Sequence, residues 1–521
     1  MGDRLSARGP RQAILCLLAL LWVLASALPS AAPADAVLAP GRPLLRGASA
    51  AEARARTSAL VDGPDPRIGV DQGARSLAKL QRSLAGTDRV TFSWAALEPN
   101  GPSSFQPQFY APSPDQLAQE TSGGVEAVGL IQFTPAWAAR APGQGERSVP
   151  RGLGDPDGPW SQFVRRLVSA YHGQVHAWII WNEMDFQPGD SGAGGSWTWG
   201  GSEADYWQLL KDAYRAVKSV DPSAMVLFGA TSYWDDVENH RPLFLRRVLQ
   251  IAASDPEAAA NHWFFDAVAM NVYRSPDDIY RVGAIVHDLL AGFSLARPQW
   301  LTETNCMPWD DPLTPKPDDA QRCTLNEQAA FVVQAYAIGL AAPWARVLWY
   351  QLTDAGVWQA QEAWGLVRDD GSERPALLAL RTAATYFSHA DRVTFSPLPR
   401  QGRPWADPWP DDPGSYYPDW QVYQVVVDRG PERILVLWNA DGQPLRVRVP
   451  KQGSHAVLVD KLGGVQPLAD DGAWYTLTLP AATAVGPADP PGYYYVGGDP
   501  ALVVQEDVPS GAVIGPPVLA P

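Results

Sequence analysis

Cysteine, methionine and histidine are all scarce in this chain: 521 residues carry three, five and seven of them. No Cys/His spacing resembles a metal site and no Gly-rich loop resembles a phosphate cradle, so neither a metal nor an organic cofactor is expected. Basic residues are also short, 41 Lys and Arg against 56 Asp and Glu. The net charge of −15 disfavours nucleic acid and anionic membrane surfaces as partners. The apolar run Ala13 to Leu28 falls short of the ~20 residues of a membrane span. It follows Arg4, Arg8 and Arg11 and precedes small-residue sites at Ala25-Ser26-Ala27 and Ala34-Asp35-Ala36, the layout of an export signal over residues 1–31. The chain is therefore expected to be secreted or extracytoplasmic, with an uncleaved N-terminal membrane anchor as the alternative.

What is abundant is apolar and aromatic. With 46% apolar residues the chain can bury a large core, and at this length it divides into two domains, because single cores stop growing near ~250 to 300 residues. After a linker over residues 32–62 come eight short apolar runs: Arg67 to Val70, Val90 to Trp94, Ala127 to Phe133, His176 to Trp181, Ala224 to Gly229, Phe265 to Val272, Gln299 to Thr302 and Arg346 to Gln351. Segments of helical period lie between them, such as Trp160 to Tyr171 and Tyr206 to Val220. Eight strands without polar alternation, each followed by a helix, predict an α/β fold, a closed (β/α)8 TIM barrel over residues 63–390. Beyond it, short runs divided by Gly, Asp and Pro predict a smaller all-β sandwich over residues 391–508, and the composition of residues 509–521 reads as a flexible tail.

Two of the barrel runs end in acid. Asn182-Glu183 closes the fourth and Glu303 closes the seventh, so both carboxylates should open onto the face of the barrel where strands end and sites are built. Taken singly, each could be a salt-bridged rim residue; the pair at this order and spacing points to a site. Cys306 and Cys323 flank a Pro- and Asp-rich loop that starts just after Glu303. An oxidising compartment favours joining them, with free thiols as the alternative. The 22 Trp suit the C–H-rich faces of sugar rings, although most are expected to fill the core. Trp197 and Trp199, in the Gly/Ser-rich loop, are expected to stack on sugar at one wall of a cleft.

The motifs together resemble glycoside hydrolase clan A, the retaining barrel glycosidases. They are Trp181-Asn182-Glu183, Trp300-Leu301-Thr302-Glu303-Thr304-Asn305, Arg89 with Trp94 and Glu98-Pro99, Thr134-Pro135-Ala136-Trp137, Tyr273, Trp349, and the stretch Trp364 to Pro375. The closest flavour is that of the β-xylosidase/α-iduronidase group and cellulase-like relatives. The resemblance implies an O-glycoside hydrolase working through a covalent glycosyl-enzyme on poly- or oligosaccharide, with a transglycosylase or a silent carbohydrate-binding barrel as alternatives. It implies Glu183 as acid/base, Glu303 as nucleophile, Asn182 on the neighbouring sugar hydroxyl, Arg89 and Tyr273 beside Glu303, Trp137 at the substrate, and Trp349 as the floor under the sugar. Glu183 is expected to be kept protonated by burial among Trp178 and Trp181 and by the charge of Glu303. Arg89 as a partner of Glu98, and Tyr273 and Trp349 as barrel filler, are the structural alternatives. Two departures bear on sugar preference: Asn271 stands where many members have His, and Met184-Asp185 follows the Asn-Glu pair where Pro is usual.

Overall fold

The computed structural model describes residues 63–107, 111–185, 198–273, 275–314, 322–354, 363–400, 420–485 and 493–520. The expected export signal over residues 1–31, the linker over residues 32–62 and Trp197 lie outside these residues.

Eight parallel strands close into a barrel: β1 (Ile68–Asp71), β2 (Thr87–Ser93), β3 (Glu126–Gln132), β4 (Val175–Asn182), β5 (Met225–Thr231), β6 (Ala267–Asn271), β7 (Gln299–Glu303) and β8 (Trp344–Trp349), with β8 pairing β1. Each falls on one of the eight predicted runs, shifted by a few residues at the ends. The strands are apolar throughout because both faces are covered. Val128, Leu130, Ala177, Ile179, Leu227, Ala267, Ala269 and Trp300 fill the inside. Alternate residues meet the surrounding helices, such as Pro159–Ala170, which buries Trp160, Phe163, Val164 and Leu167.

Small residues fix the phase where chains press together. A Cβ on Gly229 of β5 would lie 2.2 Å from the Ile180 carbonyl and 2.6 Å from that of Trp181, so only glycine lets β5 approach the end of β4. Here β4 leaves its regular path, with Trp181 and Glu183 both at positive φ, 73° and 50°.

The second domain is an antiparallel sandwich. Its larger sheet runs in the order Arg392–Phe395, Trp420–Arg429, Glu432–Asn439, Ala501–Glu506, His455–Asp460, Val465–Pro467; the smaller one is Trp474–Leu479, Leu445–Pro450, Val518–Leu519. Val422, Val426, Leu435, Val447, Tyr475 and Val503 lie between them. The C-terminal stretch read as a flexible tail differs from that expectation. Val518 and Leu519 pair with Arg448 and Val447, and the carbonyls of Ala512 and Gly515 accept bonds from Arg433 and Gln424. Sandwich side chains and strand Leu445–Pro450 thus give this Pro- and Gly-rich stretch partners for its backbone.

The sandwich packs against the barrel through helices Pro276–Gly292 and Leu325–Ala341. The Tyr423 hydroxyl donates to Asp277, and Gln334 bonds the backbone of Gly497 and Gly498. No helix among the described residues is long and apolar enough to cross a membrane.

Candidate active site

Glu303, the last residue of β7, is buried and receives two bonds. Arg89 Nη2 from β2 lies 2.5 Å from Oε1, and the Tyr273 hydroxyl donates to Oε2. Arg89 is itself fully buried, and on its other side lies Asp71, the acid ending β1, at 2.8 Å. Burial pushes Asp71 well above the ordinary carboxylate range; Arg89 opposes this, and Glu303 beyond it adds to it. The alternative pairing of Arg89 with Glu98 does not occur, since Glu98 is taken by Arg166 at 2.7 Å and by the Trp94 indole at 2.9 Å.

Glu183 sits one residue past β4, where its N–H donates to the Ala230 carbonyl of β5 at 2.6 Å and its carbonyl accepts from Thr198 at 2.8 Å. Its carboxyl is pushed up to about 8, first by burial and then by the charge of Glu303, with a hydrogen bond from Asn271 opposing. Trp178 takes no part in this burial, because it faces outward against Phe92.

Asn271 joins the two halves. At the end of β6 it stands in register with Glu303 on β7, while its Nδ2 donates to Glu183 Oε1 at 3.1 Å and to Asn182 Oδ1 at 3.2 Å. The Thr302 hydroxyl lies 2.9 Å from its Oδ1. Asn271, the departure from His, is thus a hydrogen-bond donor to Glu183.

The aromatic expectations are redistributed by strand phase. Trp349 is 0% exposed and packs edge-on against Phe331 of the outer helix, so it does not form a floor; β8 points it away from the barrel axis. The next residue, Tyr350, is half-buried and lies with Trp364 around Tyr273, at ring distances of 6.4 Å and 5.5 Å. Trp199 is likewise core, 5.0 Å from Trp181, and is covered where sugar stacking was expected. Trp137 is half-buried, with its indole bound to the Glu98 carbonyl at 2.6 Å.

The rim after β7 is held covalently and ionically. Cys306 and Cys323 form a disulfide with Cα atoms 5.8 Å apart. Beside it Arg374 binds Asp311 at 2.7 Å, Asp354 twice at 2.8 Å and Thr314 at 2.8 Å, all buried. Asn305 donates to the carbonyls of Tyr350 and Trp364, so the loops after β7 and β8 are tied directly behind Tyr273. Asp71 and Tyr350 were not singled out in the sequence, and Trp364 and Asn305 entered only as parts of the resembling motifs. Asp71 carried the same signal as the two glutamates, an acid closing an apolar strand. Among the described residues no group of His, Cys, Asp and Glu is placed to hold a metal ion.

A closed parallel barrel with an attached sandwich, bearing these groups at its strand ends, is the fold of the clan A barrel glycosidases. Three solved structures illustrate the likeness. A family 39 glycoside hydrolase from the gut symbiont Bacteroides cellulosilyticus WH2 superposes with a TM-score of 0.58 at 16% identity, over 85% of this chain and 81% of that one. A family 30 subfamily 8 xylanase from Clostridium acetobutylicum gives 0.52 at 10% identity, over 85% and 98%. SrfJ from Salmonella typhimurium gives 0.51 at 11% identity, over 85% and 91%. At such identities the likeness is one of fold. No protein-family model and no curated protein matches the chain.

Proposed function

We propose that this chain is an exported retaining O-glycoside hydrolase acting on poly- or oligosaccharides. The observation that carries the reading is the pair of glutamates on either side of Asn271, one paired with a cation and a phenol, the other buried and pushed up to about 8. Retaining hydrolysis asks for that asymmetry. In the first step the Glu303 carboxylate attacks the anomeric carbon while Glu183 gives its proton to the departing glycosidic oxygen. In the second, Glu183 takes a proton from water, the hydroxide oxygen attacks the anomeric carbon, and Glu303 leaves as a carboxylate. The Arg89 and Tyr273 bonds hold the Glu303 carboxylate aimed between turnovers. Asn182, whose Oδ1 is engaged by Asn271, offers its amide N–H groups to the hydroxyl beside the anomeric carbon.

Incubation with a panel of aryl β-glycosides tests the reading. Wild type should release the aryl alcohol from at least one of them and Glu303→Ala should not. Equal background release by both on every sugar would overturn it, and net transfer to a sugar acceptor in place of water would turn it to a transglycosylase.

A further inference from the structure

Behind the acid/base glutamate lies a second buried acid that double displacement does not use. Asp185 is fully buried, two residues past Glu183. Its Oδ2 accepts both the N–H and the hydroxyl of Ser232, just past β5, at 2.8 and 2.7 Å, and its carbonyl accepts Arg241 Nη2 at 2.9 Å. Its Oδ1 is buried without a hydrogen-bond partner among the described residues. A lone carboxylate oxygen in such a place favours the neutral acid.

We propose that Asp185 is a positioning residue for the acid/base. It anchors the left-handed turn at Glu183 to the end of β5, and its charge state sets the pH at which Glu183 gives up its proton. The inference rests on the reading of Glu183 as the acid/base. The groups around Asp185 agree with it. From helix Trp234–Glu238, Asp235 and Asp236 face it with like charge. Of the two cations nearby, Arg241 spends its guanidinium on Asp235, Asp236 and the Asp185 carbonyl, and Arg247 on Asp236 and Glu203. Burial first, then Asp236, pushes Asp185 up to about 8, with Ser232 opposing. Glu183 rises to a similar value, and Asp185 is among the groups that hold it there. Two acids that titrate in one range and repel each other ionise in sequence, so the first to lose its proton holds the second back. The buried acid two residues past Glu183 thus extends the pH range in which Glu183 can donate.

The test is Asp185→Asn, which keeps an oxygen for the two Ser232 donors and removes the charge. Carbon-13 NMR of the Glu-labelled protein, with the Glu183 resonance assigned by its loss in Glu183→Gln, should show the Glu183 midpoint falling by about half to one pH unit. The alkaline limb of kcat/KM should move with it. Ser232→Ala, which takes a donor from the Asp185 carboxylate and keeps Asp185 neutral to higher pH, should shift the midpoint the same way by less, and serves should Asp185→Asn not fold. An unmoved Glu183 midpoint in the folded variants overturns the proposal. A shifted midpoint in a wild type that cleaves no glycoside would overturn the hydrolase reading and leave the coupling in place.

Discussion

Among the described residues of the barrel, Arg89 and Arg374 each lie buried between two carboxylates, and they are finished differently. Arg374 engages every nitrogen it has: Nε on Asp311, Nη1 on Asp354 and the Gly365 carbonyl, Nη2 on Asp354 and Thr314. Arg89 spends Nη2 on both Glu303 and Asp71, and leaves Nε and Nη1 without a hydrogen-bond partner among the described residues. A buried polar group left unbonded costs stability, so a fold that completes one network and not the other keeps the second for something besides holding together. The Arg374 network is a clamp on the rim. The Arg89 network, on the proposed function, is a site whose carboxylate must be free to bond to carbon.

The comparison breaks most easily at its largest expected effect. Glu303→Gln should lower kcat by about 10⁴-fold or more, roughly 5 kcal/mol of barrier, because it removes the group proposed to form the covalent intermediate. The melting temperature should stay within a few degrees, since Asp71 remains beside Arg89. A large loss of stability with modest loss of activity would make Arg89 a second clamp and Glu303 its partner.

Arg374→Met should do the reverse. It leaves Asp354 buried without its cation and Asp311 with Arg368 alone, and should cost about 3 to 5 kcal/mol of stability in urea unfolding. Burial pushes the Asp311 carboxyl up, yet Arg368 and Arg374 hold it down to about 2, so this clamp is set at neutral pH and released only in strong acid. kcat per folded molecule should change less than about tenfold, a loss under ~1.4 kcal/mol of barrier. Next in size comes the neighbouring disulfide: Cys306→Ser with Cys323→Ser opens a loop of sequence separation 17 and should cost about 3 kcal/mol. If either change abolished turnover in protein that remained folded, the rim would belong to the site.

Much of this was legible in the sequence, and the boundary of legibility has a physical cause. Strands β1 to β8 were readable because burial on both faces writes an unbroken apolar run. Glu183 and Glu303 stood out as acids closing such runs. What the runs do not carry is phase. Whether Trp349 or Tyr350 faces the barrel axis depends on the tilt of β8 and on where its partners set the register, and the larger aromatic was the wrong one to choose. Trp199 was placed on the surface by the glycines around it, yet Trp181 and Tyr206 enclose it. The Arg374 clamp joins residues 20 to 63 positions apart in three loops, and no local pattern marks it.

The smallest expected effect is the sharpest control, because it lies outside both networks. Glu120 of helix Pro114–Ser122 and Asp88 of β2 are fully buried, and neither Glu120 oxygen accepts a hydrogen bond among the described residues. Burial, with Asp88 adding to it, pushes Glu120 up to about 10, while Asp88, which receives the N–H groups of Gly73 and Ala74, rises only to about 6. One proton then serves the pair, carried by Glu120. At pH 8 the folded protein holds that proton and the unfolded chain, with an ordinary glutamate near 4.3, has lost it. Unfolding therefore releases a proton, and stability falls as pH rises from the ordinary value toward the raised one. Glu120→Gln keeps a donor for Asp88 and removes the titration. It should stabilise the protein by on the order of 1 to 2 kcal/mol at pH 8, by much less at pH 5, and leave kcat unchanged. Thermal melts at the two pH values measure it. Equal shifts at both would mean that Glu120 is ionised in the fold, and that incomplete bonding of a buried acid in this barrel is no guide to where its chemistry lies.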